Sequence, residues 1–196
     1  CALSDLRSIP VMVALLQDRE AVLNPDAWRE FLFTVIPLIA DAVDRVEITH
    51  AANRSKWGIW KSRSFAELMV PVRTLKDRYP DLEFVGPACI DFEYLPVLAS
   101  LAVLPKGLTF SGLSHLLYVD RRGAPENKQG AFSTLEKSIL LKAIADGSRA
   151  VENRVIVSEV NWPLKNAGVW SPVMCPYETP AWRIEKLGVT ETEYAH

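Results

Sequence analysis

The chain has 196 residues, 49% of them apolar, and a formal net charge of −2. That is enough for one domain with a substantial core. The charge balance and the lack of any cationic tract denser than Arg121-Arg122 argue against a nucleic-acid surface. The longest apolar run, Phe31 to Ala40, is about half a membrane span and contains a proline, so it reads as a core helix.

The first element, "IPVMVALLQD" from Ile9 to Asp18, is a continuous apolar run of the kind found in strands covered on both faces. Asn24-Pro25 sets an N-cap with proline at the first helical position, predicting a helix to about Val43, bent near Pro37. "RVEITHA", Arg45 to Ala51, is the next strand. Ser64-Phe65-Ala66-Glu67 reads as a capping box opening a helix that ends before Pro80. A strand over Leu82–Ile90, a short helix over Tyr94–Leu104 and a strand over Leu113–Val119 follow. Ser133-Thr134-Leu135-Glu136 caps another helix ending near Gly147, and "RVIVSEV" is the fifth strand.

Strand and helix alternate every 30 to 40 residues or so, as βαβ units require. Two α/β architectures fit: part of an eight-stranded (β/α)8 TIM-type barrel, which needs about 250 residues when whole, or a five-stranded doubly wound sheet. The polar residues ending each strand run into long loops, as on a barrel's C-terminal face. There is no initiator Met, and Thr190-Glu191-Thr192-Glu193 opens a helix that the sequence does not complete. Residues 1–196 are therefore expected to be one catalytic-type barrel domain cut at both ends. Open sheet edges in such a piece would favour a homodimer or cover by a terminal segment. Localisation signals would lie outside it, leaving cytoplasm and periplasm both open.

Cofactor and metal signatures are missing. No G-x-G-x-x-G or P-loop is present, and His50, His115 and His196 stand in no zinc-binding pattern. Cys1, Cys89 and Cys175 are an odd set without C-x-x-C spacing, which points to free thiols rather than a disulfide framework. A Cys-His nucleophile stays open. Among carboxylates, Glu159 stands out. By the two-residue strand period it shares a face with Val155 and Val157 and emerges at the rim. There it could be a nucleophile, a base or a ligand for a sugar hydroxyl, or an ion-pair partner of a neighbouring strand. Trp57 and Trp60 sit in a polar loop, where packing and a sugar platform are both open readings.

"VIVSEVNWPL" resembles the seventh strand of the clan A glycoside hydrolases, the retaining βα-barrel glycosidases, in which a Thr/Ser-Glu ends the strand. "VEITHAAN" resembles the fourth-strand motif, "FVGPACIDF" the fifth and "SHLLYVD" the sixth. The ordered set covers strands three to seven. "NRSKWG", "LYVDRRGAPEN" and "EVNWPL" are similar to a bacterial group of glycosyl hydrolases. The resemblance implies a polysaccharide or oligosaccharide substrate and no cofactor, with Glu159 as nucleophile and Tyr118 holding it. It implies a sugar pocket lined by His115 and Asn53, with Trp162 as a stacking surface; His50, Trp57, Asp91 and Asn161 are further candidate substrate contacts from their places beside the strand ends. The family's acid/base glutamate falls on Ala51, which cannot transfer a proton. Glu47 should lie deeper on the same face, and Asp91 and Glu126 are alternative proton donors. A non-catalytic carbohydrate-binding barrel lacking the acid is the second reading.

Overall fold

The protein is described here by a computed structural model over residues 9–90, 93–117 and 131–160. Strands β1 (Met12–Leu15), β2 (Arg45–Ile48), β3 (Glu83–Cys89), β4 (Gly112–Leu116) and β5 (Val155–Glu159) form one sheet. Each strand pairs in parallel with the next, in the order β1-β2-β3-β4-β5. A doubly wound sheet reverses its strand order at a switch point, and this one does not. The fold is α/β, five sequential parallel strands curled as part of a TIM-type barrel.

Helices α1 (Arg19–Leu23) and α2 (Pro25–Ile39) follow β1, and α3 (Ser62–Arg78), α4 (Tyr94–Ala102) and α5 (Thr134–Gly147) follow β2, β3 and β4. Alternate strand residues divide between two faces. Val46, Ile48, Phe84 and Leu113 point to the helix side and join Trp28, Leu32, Ile36, Leu68, Leu75 and Phe110 in the main core. The indole of Trp28 on α2 donates to the backbone oxygen of Leu68 on α3, 2.9 Å away, which ties those two helices together without leaving a buried donor unpaired. Gly86 is required where β3 passes under Phe110: an added Cβ would lie 2.6 Å from the ring.

Helix starts show where local signals held. Asn24 caps α2, its side chain accepting from the Ala27 amide, with Pro25 at the first helical position. At α5 the Ser133 amide donates to Glu136 Oε2 at 2.8 Å, the reciprocal half of a capping box. The Ser64–Glu67 box does not cap: α3 begins at Ser62, and Glu67 instead pairs with Arg63 along the helix at 2.9 Å. Strand β1 ends at Leu15, because Asp18 caps the short α1 by accepting from the Ala21 amide. Thr190–Glu193 lie outside the described residues.

At the N-terminal end of the sheet, Glu83 accepts from Arg45 (2.9 Å) and Arg154 (2.8 Å). Partial burial pushes the Glu83 carboxyl up, but the hydrogen bonds from Arg154 and Arg45 outweigh it and leave the group below its ordinary range. Arg154 also donates to the Ser111 carbonyl. The starts of four strands, β2 to β5, are cross-tied here, at the end of the fold where polar residues serve stability rather than chemistry. No described helix is long and apolar enough to cross a membrane.

Candidate functional site

At the opposite end, the strand tips converge on His50. In a flat sheet β2 and β5 would stand roughly 14 Å apart, three strand spacings of about 4.8 Å. Yet His50, just past β2, reaches Glu159 at the end of β5. Its Nε2 lies 3.0 Å from Glu159 Oε2, and its Nδ1 lies 2.9 Å from Glu47 Oε1. The curl of the sheet brings the two strand ends within reach of one side chain.

Two carboxylates thus flank one imidazole, in different surroundings. Glu47 is fully buried on the concave face of β2, and its Oε2 has no hydrogen-bond partner among the described residues. The side chains of His50 and Glu159 are 27% and 40% exposed, so the array opens to solvent on the Glu159 side only. The hydrogen bond to Glu159 and then that to Glu47 raise the His50 pKa from its usual 6.5 to about 9, with burial opposing them. His50 is therefore an imidazolium at neutral pH, donating from both nitrogens.

Glu159 reaches the mouth by a different route from simple alternation. Ser114 pairs with Ile156 and His115 with Val157, but Leu116 pairs with Glu159, so the ladder skips Ser158. An extra residue in one strand inverts the parity beyond it. Val155 packs against the helix-side core, whereas Leu116 belongs to a small separate cluster with Ala51, Ala88 and Ile90. Glu159 lies beside Leu116 on the concave face, opposite Val155 and Val157, which corrects the simple period. With Val157 half exposed on the outer face, the shared-face reading fails and the bulge delivers the carboxylate.

The turn that presents His50 is held under strain. Thr49 and Ala51, on either side of it, have φ of 67° and 49°. That region is uncommon for any residue with a Cβ and a genuine outlier for a β-branched one. The Thr49 hydroxyl donates to the Pro87 carbonyl at 3.2 Å. Gln17, fully buried beyond β1, accepts from the His50 amide at 2.9 Å and donates to the His50 carbonyl at 3.1 Å.

The remaining sequence candidates separate. Asn53 is at the mouth, but its amide clamps two loops: it accepts from the Ile90 amide (2.8 Å) and donates to the Ile90 carbonyl (2.9 Å) and to Glu93 (2.6 Å). His115 does not line the mouth. It is fully buried and pairs in register with Cys89, on the face that Leu113 shares with the helix-side core. Burial and then the nearby Glu93 push the Cys89 thiol well up, so it stays protonated and is not the nucleophile of a Cys-His pair; Cys1, Cys175 and His196 lie outside the described residues. Trp57 ends a single 3₁₀ turn, Ser55–Trp57, and the Lys56 ammonium lies 3.8 Å over its ring, covering one stacking face. Ala51 is 2% exposed and closed into the apolar cluster. Asp91, Tyr118, Glu126, Asn161 and Trp162 lie outside the described residues.

In the sequence Gln17 stands in no motif, Glu47 is expected deep in the barrel rather than at its mouth, and Trp60 is open between packing and a sugar platform. Trp60 is 71% exposed beside a cavity of about 180 Å³ that is also lined by Asn53, Lys61, Ser62 and Ser100. Among the described residues no group of three or more His, Cys, Asp or Glu could hold a metal ion.

No protein family and no curated protein matches the sequence. Among solved structures the chain is similar to the crystal structure of the GH39 enzyme from Xanthomonas axonopodis pv. citri, with a TM-score of 0.47 and 16% identity. The match covers 71% of this chain and 31% of that one, so it spans less than a third of that enzyme's length.

Proposed function

We propose that this chain forms part of a glycoside-processing barrel in which Glu159 is the carboxylate that works on the anomeric carbon. The observation that carries this reading is the Glu47–His50–Glu159 array at the strand tips. A buried carboxylate orients an imidazolium, and the imidazolium holds a second, solvent-reachable carboxylate in the mouth. A carboxylate fixed in one position can attack the anomeric carbon as the bond to the leaving oxygen breaks, giving a glycosyl ester that water then hydrolyses. The retaining pathway asks for a second carboxyl about 5 Å away to protonate the leaving oxygen. Glu47 does not fit that role: it is fully buried, and the imidazole stands between it and Glu159.

The second reading, a saccharide-binding barrel without turnover, is favoured by one observation. The position that the family resemblance reserves for the acid is Ala51, closed into an apolar cluster. Activated aryl glycosides separate the two readings, because a strongly acidic phenol departs without a proton from the protein. The first reading expects turnover of such substrates by the full-length protein and its loss, by about a thousandfold or more, in Glu159→Gln. Turnover that survives in Glu159→Gln removes Glu159 from the chemistry. Saccharide binding with no turnover of any activated glycoside leaves the binding reading.

A further inference from the structure

Three observations meet on Gln17. Its side chain is fully buried in the loop between β1 and α1, a segment that contributes none of the three charged groups. Its amide closes a two-bond ring with the backbone of His50, N–H to Oε1 at 2.9 Å and Nε2 to C=O at 3.1 Å. The backbone it grips is flanked on both sides by left-handed residues, Thr49 and Ala51. A turn in that conformation costs on the order of 1–3 kcal/mol for each such residue and persists only where its surroundings over-determine it. The Thr49 hydroxyl on the Pro87 carbonyl restrains the residue before His50, whereas the Gln17 amide restrains His50 itself.

We infer that Gln17 is a positioning residue, whose side-chain amide holds the strained His50 turn so that the imidazole bridges Glu47 and Glu159. A glutamine suits the task because one planar amide offers a donor and an acceptor side by side, matching the N–H and C=O of a single residue. Carboxylate or ammonium groups supply only one of the two. The inference deepens the reading of Glu159 as the working carboxylate and takes its functional meaning from it. Its structural content concerns the imidazole alone.

The test is a titration of the His50 ring by NMR in the full-length protein. The signal is assigned among the three histidines by its absence in His50→Gln. In Gln17→Met, which keeps the volume but removes both hydrogen bonds, the ring should slip from its two partners. Its midpoint should then fall from near 9 toward the ordinary histidine value by about one unit or more. A folded Gln17→Met protein with an unmoved midpoint overturns the inference, since a merely structural glutamine would alter the melting temperature and leave the titration alone. Should that variant fail to fold, Gln17→Asn, whose amide is one methylene short, is titrated in the same way. A displaced midpoint supports the inference and an unmoved one overturns it. The readout is protonation rather than turnover, so a failure here leaves the glycosidase reading intact, and a failure of turnover leaves this result intact.

Discussion

His50 Nε2 and Glu159 Oε2 lie 3.0 Å apart although 109 residues separate them in the chain. On its other side His50 is the hydrogen-bonded cation for a carboxylate with no exposure to solvent. Removing His50 would strand Glu47 as an uncompensated buried charge, the costly way to break such a pair. His50→Ala should therefore destabilise the protein by about 3 kcal/mol, read from denaturant unfolding. Glu47→Gln should offset much of that loss when combined with it, giving a coupling of about 1.5 kcal/mol or more in a double-mutant cycle. Additive effects would mean that the two groups do not interact.

The pH dependence of stability carries the same signature with a defined sign. The folded pKa of His50, about 9, lies above its ordinary 6.5. Folding therefore favours the protonated ring. The resulting stabilisation is fully present below about pH 6.5 and is lost as pH rises through about 9. Unfolding measured at a series of pH values should show this decline between 6.5 and 9 in the wild-type protein. The decline should be absent in His50→Gln, which has no proton to lose in that window.

Much of the architecture was legible because each buried strand is a short apolar run between polar turns. Runs such as "LEFVGPACI" and "LSHLLYV" are read by local rules. Helix starts were legible where one cap had no competitor, as at Asn24 and Ser133, and failed at Ser64, where Ser62 starts the helix one half-turn earlier. The site was harder. Alternation in "RVIVSEV" gave Glu159 the correct end of the sheet for the wrong reason, since the skip at Ser158 depends on how β5 pairs with β4. The His50 bridge depends on sheet curl, and the roles of Gln17 and Asn53 depend on which backbone groups lie opposite them. None of these is a property of neighbouring residues in sequence.

The alanine at position 51 suggests an obvious repair that should fail. Its side chain packs with Ala88, Ile90 and Leu116 and is 2% exposed. Ala51→Glu would press a carboxylate into that apolar cluster. The cost should be about 2–4 kcal/mol of stability. Turnover of unactivated glycosides should not rise. A stable Ala51→Glu protein with new activity would show that the turn can rotate its side chain into the mouth.

The two loop tryptophans should respond oppositely to truncation. Trp57 is half-buried with its Nε1 enclosed and one ring face under Lys56. Trp57→Ala should therefore cost about 2 kcal/mol of stability through lost packing and the lost cation–π contact. Trp60 presents 71% of its surface to solvent beside a cavity with Lys61, Ser62 and Ser100 on its walls. Ile59, Phe65 and Pro96 share those walls with the polar groups, and an indole beside such a mixed surface suits a pyranose, whose C–H face is apolar and whose rim carries hydroxyls. Trp60→Ala should leave the unfolding midpoint within about 0.5 kcal/mol of wild type, while weakening oligosaccharide binding about tenfold by calorimetry, equivalent to about 1.4 kcal/mol. Equal affinity of the Trp60→Ala and wild-type proteins for every saccharide that the wild type binds would exclude that cavity from the binding surface.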